Sequence, residues 1–209
     1  MINEKFLRLH DLQNKYLHEM SLIYEFDLSQ NQGISHVSHY TASIVSRSIS
    51  LIKGFELLFN CKIYSTAISL IRLQIDNCLR LFAMSLCNPE YLLGEITKGN
   101  SVRSLNDRDG KKMTDTYLIN KIDKIMPSFK LLYEETSGFI HFSNEHLKSN
   151  NKITQKDGNL HLKTLIGGEF ELSEAEKIKY LDDMISASFN LYRLVYSYRY
   201  DSQNLKIKP

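Results

Sequence analysis

The side chains of this chain that could do chemistry gather in one short stretch and on two helices before it. Within ten residues, SGFIHFSNEH, stand Ser137, His141, Asn144, Glu145 and His146. Upstream, Arg47 lies in one apolar stretch and Arg72, Asp76 and Arg80 in the next. An arginine grips phosphate bidentately, and a histidine exchanges a proton near neutral pH. Together they suit cleavage of an RNA phosphodiester. In that chemistry His141 moves the 2′-hydroxyl proton and Arg72 and Arg80 stabilise the phosphorane. Ser137 stands beside His141, and Arg47, Asp76 and Asn144 line the site. The same residues equally make a structural polar network, and the sequence leaves both readings open.

Other chemistries find no support. His141 and His146 are five residues apart, so on one helix their rings diverge by about 140°. A zinc protease helix needs two His at i,i+4 with Glu between them. No metal or cofactor is therefore expected. The chain has no glycine-rich phosphate loop, no GxSxG elbow and no CxxC. Its three cysteines, Cys61, Cys78 and Cys87, are odd in number and lack zinc or dithiol spacing. They read as free thiols in a reducing compartment, so a cytoplasmic location is expected. The net charge of +2 over 209 residues is no nucleic-acid signature by itself. No apolar run reaches the roughly 18 residues of a membrane span, so no membrane partner is expected.

The elements that must position these residues are helical. Nine Gly and three Pro are few, and apolar residues recur at three- and four-residue steps through most of the chain. The spacing predicts helices over 3–27, 36–60, 62–87, 89–98, 115–125, 128–150 and 174–202. The helix 62–87 is apolar around nearly its whole circumference, so it should be central. One polar line runs along it, Ser65, Ser69, Arg72, Asp76 and Arg80, in which both Arg72–Asp76 and Asp76–Arg80 are spaced for an ion pair. The helix 36–60 carries a second polar seam, His36, Tyr40, Ser43, Arg47 and Ser50, continued by Gly54. Asn88-Pro89 starts a helix, and Ser173 with Glu176 forms a capping box for the last one. On the helix predicted over 128–150, Ser137 and His141 are one turn apart.

Residues 151–172 change character. Polar and apolar residues alternate around Asp157-Gly158, a hairpin signal, and Glu169–Leu172 reads as a short third strand. The fold class expected is all-α: a bundle of about five to seven helices in one domain, 1–209, with a small β-hairpin inserted near 152–172. Two or three short strands are marginal alone, so they should lie on the helices or pair with another subunit. The last helix ends in YRLVYSYRYDS, where Tyr and Arg interleave; such a surface serves core packing, a dimer contact or base stacking.

Two stretches, IRLQIDNCLR (71–80) and YEETSGFIHFS (133–143), together resemble the bacterial HEPN-like helical proteins. Arg72 and Asp76 match an Arg-x-x-x-acidic helix, and Ser137 and His141 match a later Ser-x-x-x-His helix. The resemblance covers roughly residues 40–200. It implies a helical bundle that forms a homodimer, found in toxin–antitoxin or phage-defence settings, with RNA or a cognate antitoxin or regulatory protein as partner. Some members are metal-independent ribonucleases. These carry Arg followed by His four to six residues later on one helix, and no Arg here has that spacing. His141 would take its arginine from another helix. The alternative is a non-catalytic helical dimerisation or regulatory module with a structural Arg-Asp-Ser-His network.

Overall fold

The computed structural model describes residues 1–31, 33–140 and 143–205. In chain order the helices are α1 (Ile2–Ser29), α2 (His36–Asn60), α3 (Tyr64–Leu86), α4 (Pro89–Thr97), α5 (Asp115–Ile122), α6 (Phe129–Ser137), α7 (Asn144–Asn150) and α8 (Glu174–Leu205). A hairpin of β1 (Asn151–Lys156) and β2 (Asn159–Thr164) lies between α7 and α8. The expected all-α bundle with a small β-hairpin is what forms.

The centre is α3. Ile71, Ile75, Cys78, Leu79 and Ala83 are fully buried on it. α2 and α8 pack on two of its sides, and α4, α5, α6 and α7 also touch it. Close approach of α2 is set by Gly54, where a Cβ would come within 3.2 Å of Leu70 Cδ1. α1 lies against α8, buttoned by Lys5–Asp182 at one end and Glu19–Arg199 at the other, both at 2.5 Å.

Local signals set the helix starts. Ser35 accepts from the Ser38 amide at the head of α2. Asn88 accepts from the Glu90 and Tyr91 amides at the head of α4. Thr114 caps α5. Ser173 and Glu176 exchange the two hydrogen bonds of a capping box. The α3 N-terminus has no cap of its own. Glu169 supplies one from 104 residues away, accepting from the Ser65 amide at 2.8 Å and its hydroxyl at 2.7 Å.

The expected helix over 128–150 is two helices, which adds one to the seven segments read from periodicity. α6 ends at Ser137, and the Phe139 and Ile140 amides turn back to the Thr136 and Ser137 carbonyls. The physical reason is local competition for the backbone. The Thr136 and Ser137 hydroxyls bond the Leu132 and Tyr133 carbonyls, and Gly138 follows. The turn drops Phe139 into the core against Tyr180, ring centroids 6.1 Å apart. It also presents the Phe139 carbonyl to Ser69 on α3 at 2.7 Å.

The hairpin pairs Ile153 with Leu162 and Gln155 with Leu160. Asp157 and Gly158 both take positive φ, +53° and +77°, as a two-residue hairpin turn requires. The expected third strand, 169–172, is absent among the described residues. Those residues bind the helical body instead. Glu171 accepts from Tyr64 at 2.7 Å and pairs with Lys62 and Lys177.

Candidate functional site

The polar line of α3 is where the predicted residues meet. Arg72 is buried. Its Nη1 donates to Asp76, its Nε donates to Ser137 Oγ at 3.3 Å, and its guanidinium lies 3.9 Å from the centroid of the Tyr133 ring. Ser137 Oγ in turn donates to the Tyr133 carbonyl at 2.6 Å. The structure thus joins three of the predicted site residues, Arg72, Asp76 and Ser137, and adds Tyr133. The helix that carries Ser137 does not continue through 138–140, because α6 ends at Ser137. His141 itself lies outside the described residues.

The other predicted residues go elsewhere. Asp76–Arg80 is not the ion pair that forms. Arg80 donates from Nη2 to Asp115 Oδ1 at 2.7 Å, and Arg103 meets Asp115 Oδ2 at 2.6 Å. Asp76 has already closed on Arg72, and Asp115, at the first turn of α5, faces the next turn of α3. Burial disfavours a charged Asp115, yet the two guanidinium groups hold its carboxyl below the usual range. Arg80 Nη1 is buried and has no hydrogen-bond partner. Nearby on α2, burial pushes the Tyr40 phenol up, against the opposing charge of Arg80.

Arg47 does not join the Arg72 cluster. It donates to Asn77 Oδ1 at 2.5 Å, and Asn77 donates to Gln74 Oε1 at 3.2 Å. Gln74 is fully buried. Its amide nitrogen reaches Ser48 of α2, Ser188 of α8 at 3.2 Å and Tyr16 of α1 at 3.4 Å. Tyr16 completes the network by donating to the Ser188 carbonyl at 2.6 Å. Asn144 is exposed at the start of α7.

Four of the five polar residues on the α3 line therefore fasten other segments, while Asp76 pairs with Arg72 on the same helix. Ser65 takes Glu169, Ser69 takes Phe139, Arg72 takes α6 and Arg80 takes α5. These directional contacts fix short segments, among them α5 and α6, on the central helix. A groove of about 440 Å³ lies away from the line, bordered by Leu81, Phe82, Arg108, Ile125 and Tyr198. None of Arg47, Arg72, Asp76, Arg80, Ser137 and Asn144 lines it.

Sequence reasoning passed over Gln74, Asp115 and Glu169. Gln74 carries a readable signal, since it is an amide set on a helix apolar all round. Asp115 and Glu169 carry none, because their partners are 35 and 104 residues away.

No protein-family model matches the chain, and no curated protein or solved structure matches it significantly.

Proposed function

We propose that the chain is a HEPN-like, non-catalytic helical module of the cytoplasm that acts by association, as a homodimer or with a regulatory partner. One observation carries this reading: Arg47, Arg72 and Arg80 are each spent on an acceptor of the bundle itself. A phosphate at Arg72 would have to displace Asp76 from a buried guanidinium that also stacks on Tyr133, and a buried charge that loses its partner costs about 3–5 kcal/mol. An RNA-cleaving site needs arginines held open for the transition state. Here Arg72 is closed on a carboxylate and a hydroxyl, and Arg47 and Arg80 each already bond an amide or a carboxylate of the bundle.

One feature favours the second reading, an RNA-acting toxin or defence component. The Nη1 of Arg80 is buried without a partner, and a bound anion would satisfy it. Incubating purified protein with total RNA, beside His141→Ala, separates the two. The association reading expects identical RNA profiles for both proteins. RNA cleavage by the wild type that His141→Ala abolishes, at an unchanged melting temperature, would overturn it in favour of the ribonuclease.

A further inference from the structure

The hairpin is fixed at its base and open everywhere else. At the base, the Leu165 amide donates to the Asn150 carbonyl at 2.8 Å and the Phe170 amide to the Ser149 carbonyl at 2.9 Å. Glu169 caps α3, and Glu171 binds Tyr64, Lys62 and Lys177. Lys177 and the Tyr64 hydroxyl, with Lys62, hold the Glu171 carboxyl down at about 2. Beyond this anchor, every residue of β1 after Asn151 and every residue of β2 is exposed. Two strands alone are marginal in water. The arm nevertheless contributes no residue to the buried core.

Its two faces differ sharply in charge. Alternate side chains of a strand point to opposite sides, so the register sorts the twelve positions. One face holds Asn151, Ile153, Gln155, Leu160, Leu162 and Thr164, with no charge. The other holds Lys152, Thr154, Lys156, Asn159, His161 and Lys163, with no acid. Phe170 sits beneath the basic face, 4.5 Å from Lys152 Nζ. On the uncharged face Ile153, Leu160 and Leu162 are 71%, 76% and 66% exposed, and Ile166, just past β2, is 98% exposed.

We propose that the uncharged face of the hairpin is the surface on which a second copy of this chain docks, face to face with its own hairpin. This rests on reading the chain as an association module and names its contact. Charge decides the occupant. Two copies meeting through the basic faces would oppose six lysines, whereas the aliphatic faces meet with no charge to desolvate. A lipid surface fits less well, because insertion of the aliphatic face would turn all three lysines away from the headgroups. An anionic polymer such as RNA fits the lysine face and leaves the aliphatic face uncovered. The anchored base holds the arm ready, so docking does not have to order it. The strands give this face only Asn151, Ile153, Gln155, Leu160, Leu162 and Thr164, far fewer than the roughly 20–30 residues a side of a standard complex, and the dimer is accordingly weak.

Sedimentation velocity of the full chain, over a concentration series from about 1 to 100 µM, tests this. The wild type is expected to shift from monomer to dimer across the series. Ile153→Thr/Leu162→Thr keeps strand-forming residues and is expected to weaken the dimer at least about tenfold, since two aliphatic contacts per copy are lost. Thr154→Asp, on the opposite face, is expected to leave it intact. Circular dichroism melts confirm that both variants are folded. A dimer that persists unchanged in the double variant overturns the hairpin contact and leaves the association reading standing. A wild type that stays monomeric throughout overturns self-association itself. A monomer that co-sediments with uncharged phosphatidylcholine vesicles, and no longer does so as Ile153→Thr/Leu162→Thr, assigns the aliphatic face to lipid instead and overturns the proposal equally.

Discussion

Replacing Arg72 by Met should damage the fold rather than an activity, and the loss should be recoverable by a second substitution. The Arg72 side chain is 8% exposed and its partner Asp76 21% exposed. The pair therefore falls between an exposed ion pair, worth about 0.2–1 kcal/mol, and a buried one, where removing one partner costs about 3–5 kcal/mol. Methionine fills most of the volume and keeps a contact with the Tyr133 ring. It leaves Asp76 uncompensated and Ser137 without its donor. We expect a loss of about 3 kcal/mol, which for a chain of this length lowers the melting temperature by about 6–12 °C. Arg72→Met/Asp76→Leu removes the stranded charge as well, and should recover stability to within about 1 kcal/mol of wild type. Thermal and urea melts of the four proteins of this cycle measure the coupling. Arg72→Met melting within about 2 °C of wild type would refute the assignment of Arg72 as a fastener, because a residue held for catalysis can be lost at little structural cost.

Gln74→Leu should cost about 2 kcal/mol, because Asn77 loses its buried acceptor and the Ser48 and Ser188 hydroxyls lose their shared donor; urea denaturation reads this directly. Acid should destabilise the protein through Asp107 and Glu171. The Tyr117 hydroxyl, with the Lys111 and Asp109 amides, holds the Asp107 carboxyl at about 2, and Glu171 is held equally low. Both values are depressed relative to the unfolded chain, so their stabilisation is complete above the unfolded values of 3.8 and 4.5 and is lost as pH falls toward about 2. Melting temperature against pH should fall through that window, less steeply in Asp107→Asn. Of the three free thiols, Cys61 is exposed while Cys78 and Cys87 are buried, and burial pushes both of the latter thiols up. A thiol reagent should modify one cysteine quickly in native protein and the other two only on unfolding.

The helices were legible because their signals are local. Apolar steps of three and four placed α2 at 36–60, and Asn88-Pro89 and Ser173/Glu176 marked two starts that the structure uses. Asp157-Gly158 likewise located the hairpin turn. Where periodicity misled was 128–150. Its apolar pattern continues past Ser137, but Thr136 and Ser137 take backbone carbonyls and Gly138 weakens the helix there. Periodicity reports which face is apolar and does not register such competition. The candidate site was legible by halves. The i,i+4 spacing of Arg72 and Asp76 suffices to pair them, whereas Arg80 had two geometrically possible acids. Only the tertiary position of α5 chose Asp115 over Asp76. Nor could alternation along 151–172 say whether the aliphatic face lies on the helices or stands free.

The Arg72 guanidinium belongs either to the fold or to a ligand. Arginine side-chain Nε–H resonances answer this most directly, with Arg72 assigned from its loss in Arg72→Lys and followed while an RNA oligonucleotide is added. A buried Nε–H held by Ser137 should give a slowly exchanging signal that does not move as RNA is titrated. A rapidly exchanging Nε–H that shifts with added RNA would contradict the account and restore Arg72 to a phosphate-binding site.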